Sequence, residues 1–199
     1  MRQARRVWIA ALLASCAPLA AQNLFVNSDL DSSLVSWTMG CGTQMAWASA
    51  DEAGCPGSGS VHVTGGPCQG QQGAGAGQCI AAGSLTAVSA AGRVRATSGL
   101  HVVVFQYFFT PDCSGTMASQ QVVPAGAASG NWTLVSAENV AIPGGTGSIL
   151  VGFGAASNAI VEADVDAGYV GVRSRIFRED FEGDLGGSSA ACRWSAVVP

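Results

Sequence analysis

Between Leu100 and Thr110 the chain runs Val102-Val103-Val104-Phe105-Gln106-Tyr107-Phe108-Phe109, almost wholly β-branched or aromatic. Such a run fits a pleated, half-buried surface and resists helix formation. The same habit recurs along the sequence in shorter form. Apolar runs are bounded by Gly, Pro, Ser and Asn at Leu24–Asn27, Thr43–Ala50, Ser60–Thr64, Gln78–Ala82, Leu85–Ala90 (set off by Gly83), Arg93–Thr97, Met117–Val123, Trp132–Ala137, Ser148–Phe153 and Ile160–Val172. No window of useful length carries a capped apolar stripe of period 3.6. Many short strands closed by tight turns, with no break between two units, predict a single all-β antiparallel sandwich or jelly roll.

The first residues stand apart. Met1–Arg6 is basic, Val7–Ala14 is apolar but too short to span a bilayer, and small residues follow, which is the pattern of an export signal. Two processing readings compete: cleavage after Ala21, or lipidation of Cys16 within Leu13-Ala14-Ser15-Cys16. The first is preferred, because the first predicted strand begins directly after Gln22. The expected organisation is a signal peptide over 1–21, a β-sandwich over 22–175 and a tail over 176–199. A secreted location follows, with a lipoprotein anchored at Cys16 as the alternative, and no segment is expected to cross a membrane.

Export makes sense of the cysteines. Setting Cys16 aside leaves Cys41, Cys55, Cys68, Cys79, Cys113 and Cys192. An even number in an exported chain reads as a disulfide set, and no close pairing suggests zinc. Cys79 with Cys113 is the expected pair in the middle of the sheet, since each flanks a strand segment. Charge narrows the partners further. There is no lysine, and beyond Gln22 six arginines face thirteen acids, a net of −7. That balance repels phosphate backbones and argues against nucleic acid.

Five short stretches, in order, carry a family resemblance. Asn23–Asp31 followed by Trp37 resembles the "NLL-x-NGDFE…W" opening of carbohydrate-binding modules of the CenC type, galactose-binding-like jelly rolls. Ser60–Thr64 resembles their "SVxVT" strand, and Gln78–Ile80 with Ala82-Gly83 their "Q-x-L…PG" segment. Gly130-Asn131-Trp132 with Val135 resembles "W-x-x-V", and Val165-Asp166 with Tyr169-Val170 the closing "VDDV" strand. The similarity spans roughly 22–172. Ser28, Leu30, Asp31 and Ala167 depart from the family pattern. The tail, Ile176–Glu182 with Trp194, resembles the "F-x-DGFE-x-G…W…P" segment of exported bacterial proteins and partly echoes the opening stretch.

Glu162, Asp164 and Asp166 alternate along one strand and so project from one face about 7 Å apart. Unneutralised they repel, which calls for a cation, an arginine or water. The resemblance implies that the first and last strands are neighbours. Asp29, Asp31, Asp164 and Asp166 would then surround a structural calcium with oxygen ligands.

The resemblance also implies a glycan or cell-surface polysaccharide as partner. Sugar recognition uses aromatic faces and amides, and the candidates are Trp47, Tyr107, Phe109 and Gln106; Trp37 and Trp132 are assigned to the core. Catalysis is not expected. No G-x-S-x-G elbow occurs, no carboxylate pair stands out, and His62 and His101 read as strand residues. Gly152-Phe153-Gly154 only mimics a dinucleotide fingerprint, because no helix pattern follows it. The expectation is a secreted, non-catalytic binding module. A surface structural or adhesive protein is the alternative, and a small glycosidase-like enzyme a distant third.

Overall fold

The computed structural model describes residues 23–28, 30, 33–40, 44–55, 57–65, 73–157 and 159–172. The export signal with Cys16, the acids Asp29 and Asp31, the cysteines Cys41, Cys68 and Cys192, and the tail over 176–199 lie outside the described residues.

Ten strands follow in order: β1 (Thr38–Met39), β2 (Gln44–Ala48), β3 (Ser60–Gly65), β4 (Ala74–Ala81), β5 (Ala87–Ala96), β6 (Leu100–Phe108), β7 (Met117–Ala127), β8 (Thr133–Ala141), β9 (Ser148–Ala156) and β10 (Val161–Gly171). They form two five-stranded sheets, ordered β1-β4-β9-β6-β7 and β2-β3-β10-β5-β8. Every pairing is antiparallel. The described residues contain no helix. This is the β-sandwich that the short apolar runs predict.

Alternation explains the packing. On β6, Val103, Phe105 and Tyr107 turn inward; on β9, Ile149, Val151 and Phe153; on β10, Val161, Ala163 and Val165. Facing residues of the two sheets merge into one core, as period-2 strands with one buried face require. Several predicted boundaries shift. Leu85–Ala90 and Arg93–Thr97 merge into β5, which stays in register with β10 apart from a bulge between Asp166 and Tyr169. β4 begins at Ala74, four residues ahead of the predicted run Gln78–Ala82.

The opening stretch differs most from expectation. It is not a regular strand, yet it touches both sheets. β3 pairs with β10 only as far as Val165. Further along β10, Leu24 N–H donates to the Val170 carbonyl at 2.7 Å, and Val170 N–H donates to Asn23 Oδ1 at 3.0 Å. Asn23 Nδ2 donates to the Gly168 carbonyl at 2.9 Å. Two residues on, Val26 bonds to Gln78 of β4 in the other sheet. Between these anchors the Phe25 ring packs edge-to-face on Trp37 and on Phe153, at 5.5 and 6.0 Å. Trp37 is buried as expected, and its indole N–H donates to the Asn27 carbonyl.

Candidate functional site

The outward side chains of β4, β9 and β6 pave one face of the first sheet unevenly. Gly75 pairs with Gly154 and Gly77 with Gly152, so four adjacent positions have no side chain. Beside them stand Val102 and Val104 of β6, Val122 of β7 and Leu150 of β9. Gln106 and Gln120 close one end, with Gln106 Nε2 donating to Gln120 Oε1 at 3.1 Å. The result is a groove of about 280 Å³, with Gly40 beside β1 at its other rim. None of the described lining residues is ionisable.

The glycines are there for the backbone as well as for the hollow. A Cβ on Gly154 would lie 2.1 Å from the Ala74 carbonyl oxygen, and one on Gly77 would lie 2.2 Å from that of Val151. Strands β4 and β9 approach so closely that only glycine fits there. Gly152 is more tolerant, its Cβ meeting the Ala76 oxygen at 3.3 Å.

Of the candidate sugar-binding side chains, the structure brings Gln106 alone into this groove. Tyr107 points the other way, buried in the core, with its hydroxyl donating to the Ala141 carbonyl at 3.4 Å. Strand alternation decides between the two neighbours. Phe109 lies one residue beyond β6, and 71% of it is exposed. Trp47 is partly exposed as expected, but it sits on β2 at the edge of the second sheet, where its indole N–H donates to the Leu30 carbonyl at 2.8 Å. Sequence reasoning missed the floor, Gly75, Gly77, Gly152 and Gly154. Its signal was the alternating Gly-x-Gly of β4 and β9, one copy of which had been weighed only as a nucleotide motif.

The acidic strand face resolves in another way. Glu162, Asp164 and Asp166 do share the outer side of β10, opposite the inward Val161, Ala163 and Val165. Asp164 is paired within the protein. Arg95 Nε and Nη2 donate to its Oδ2 at 3.0 and 2.8 Å, and His62 Nδ1 lies 2.9 Å from its Oδ1. Arginine, one of the three ways to relieve the repulsion, is the one used here. Asp166 accepts from the backbone N–H of Glu52 at 2.9 Å and of Ala167 at 2.7 Å. The second bond fits the left-handed backbone of Ala167, φ 49°, at the bulge. Among the described residues no three His, Cys, Asp or Glu side chains converge as a metal-binding group.

Trp132, assigned to the core, is instead partly exposed, with the Arg95 guanidinium 4.9 Å from its ring centre. Cys79 and Cys113 form a disulfide, the expected pair. Cys55 is disulfide-bonded as well.

No family model matches the sequence, and no curated protein matches it. Solved structures match the fold. The enzymatically active domain of tailspike protein 4 of bacteriophage CBA120 superposes with a TM-score of 0.52 at 12% identity, over 76% of this chain and 21% of that one. The CBM22-1–GH10 modules of Clostridium thermocellum xylanase 10B, solved with xylohexaose, give 0.51 at 13% identity, over 73% and 28%. A CBM4 structure gives 0.50 at 11% identity, over 74% of this chain and 99% of its own. This chain thus spans about a fifth of the tailspike chain and nearly the whole CBM4 chain. The class of architecture is the jelly-roll β-sandwich that carbohydrate-binding modules share.

Proposed function

We propose that the chain is an exported, non-catalytic carbohydrate-binding module that holds glycan in the glycine-floored groove across β4, β9, β6 and β7. The observation that carries this reading is the groove itself. It is a hollow on one sheet face, its walls are apolar, and a pair of amides stands at one end to meet hydroxyl groups. Bare glycine lets a flat ligand approach the backbone, and an apolar trough with a few placed polar groups suits a sugar chain. The likeness in fold to a CBM4 module over nearly its whole length supports the same reading.

A structural calcium belongs to this proposal. It would be held where the opening stretch meets β10, with Asp166, Asp29 and Asp31 as its carboxylates. Asp164 leaves the expected set, because its charge is already met by the two-pronged Arg95 guanidinium, whereas Asp166 accepts from backbone N–H groups. An unchanged melting temperature in EDTA would end the calcium part of the reading.

One observation favours the alternative, a surface structural or adhesive protein. Phe153 is the single aromatic among the groove's described lining residues, and its ring is buried against Phe25. Among the described residues no lining ring is thus offered for stacking on a sugar. A glycan array decides between the two readings. Retention by the wild type, with loss on Val104→Trp, which fills the groove, is the expected result. A wild type that retains no glycan would refute the binding reading and leave the adhesive one.

A further inference from the structure

The outer face of the second sheet carries a separate constellation. Register aligns His62 of β3, Asp164 of β10 and Arg95 of β5 as direct cross-strand neighbours. Trp132, just before β8, extends this row under the Arg95 guanidinium. In the next row along the strands, Glu162 stands opposite Thr64. Between the rows lies a second hollow of about 230 Å³, lined by His62, Arg95, Thr97, Gly130, Glu162 and Asp164 among others.

Asp164 organises these groups. A carboxylate only accepts, so His62 Nδ1–H donates to it, and in the neutral ring Nε2 then carries a lone pair. Binding through Nε and Nη2 fixes the plane of Arg95, and the Trp132 ring supports it from one side. Three functions then remain uncommitted among the described residues: His62 Nε2, Arg95 Nη1 and the exposed carboxylate of Glu162.

The chemistry of these groups narrows the ligand. Arg95 is balanced by Asp164, so with His62 in its neutral form Glu162 leaves the hollow with a net negative charge and an anion is repelled. A metal ion would find only His62 and Glu162, short of a binding set. Acceptors on Glu162 and His62 beside a donor on Arg95 complement a pair of adjacent hydroxyls, each of which donates and accepts.

We infer that this hollow is a second saccharide site, on the sheet face opposite the groove, which binds the vicinal diol of a single neutral sugar ring. It rests on the carbohydrate-binding reading only in the choice of ligand class, since its residues are separate from those of the groove.

The chain has two histidines, and His101 is fully buried, so the two Cε1–H NMR signals provide a probe and an internal control. The protein is titrated with the neutral methyl β-D-glucoside, -galactoside and -xyloside, and with methyl β-D-glucuronide as the anionic control. Each is taken to roughly 50 mM, enough to bring a site of millimolar affinity close to saturation. The expected result is a saturable shift of His62 with at least one neutral glycoside and none of His101. Glu162→Ala should weaken the response about tenfold, while Val104→Trp leaves it intact. The inference is overturned if no neutral glycoside moves His62, if the glucuronide alone does, if Glu162→Ala binds as tightly as wild type, or if Val104→Trp abolishes the response. An array on which the wild type retains no glycan would count against the groove alone, because the His62 signal reports independently of it.

Discussion

Gln78 acts as a one-residue strand for Val26. Its Nε2 donates to the Val26 carbonyl at 2.6 Å, and its Oε1 accepts the Val26 N–H at 3.0 Å. The side chain is 3% exposed, so water cannot take over either bond. Gln78→Leu should cost about 2–4 kcal/mol by stranding two backbone groups. Denaturant unfolding measures it, and a loss below about 1 kcal/mol would show that the opening stretch is held by other contacts.

His101 is buried with neither ring nitrogen hydrogen-bonded among the described residues. Burial lowers its pKa below the ordinary 6.5. The folded state therefore resists a proton that the unfolded chain accepts. Stability is full above pH 6.5 and declines as pH falls from there toward the depressed folded value. His101→Leu should remove this part of the pH dependence and raise the melting temperature at pH 5. Parallel melting curves of the two proteins from pH 8 to pH 5 would contradict the assignment.

The Cys79–Cys113 bridge closes a loop with a sequence separation of 34, tying β4 to the turn after β6. Replacing both cysteines by alanine should cost about 3–4 kcal/mol on chain-entropy grounds. Thermal unfolding of the double variant tests this, and an unchanged melting temperature would refute it.

Two glycines of the groove floor should behave differently. Gly154→Ala places a methyl against the Ala74 carbonyl and forces β4 from β9, for a loss of several kcal/mol. Gly152→Ala needs only a small adjustment and should cost about 1 kcal/mol or less, while making the hollow shallower. Weaker glycan retention by stable Gly152→Ala would separate occupancy of the groove from stability. Equal losses of stability in both variants would mean that the strands are less closely set than described.

Trp47→Phe keeps an aromatic ring and removes the hydrogen bond to Leu30. It should cost about 1 kcal/mol and leave glycan retention unchanged. Lost retention with an unaltered melting temperature would restore Trp47 as a ligand residue.

Fold class was legible because alternation and punctuation are local properties. Val61, Val63, Val161 and Val165 could be assigned to a strand face from their neighbours alone. The disulfide partner of Cys79 was also within reach, since both cysteines flank strand ends. The groove was not, because it depends on register. Gly75 and Gly77 become a hollow only when Gly154 and Gly152 lie beside them, and pairing across some 75 residues leaves no local mark. Likewise, nothing around Asp164 announces that Arg95 and His62 will flank it. Gln106 and Tyr107, adjacent on one strand, must lie on opposite faces, but which face is core is decided by the partner sheet.

The bond between Asn23 and Val170 joins residues 147 positions apart. The first described residue is thus finished by one of the last. A sheet whose seam closes over such a span must pay its loop entropy late, which places folding among the slow, non-local cases of milliseconds to seconds. During synthesis the bonds of Asn23 and Leu24 cannot form until β10 has been made, although Val26 can already meet Gln78 of β4. The seam between the opening stretch and β10 is therefore the part of the sandwich that closes only after the last described strand exists.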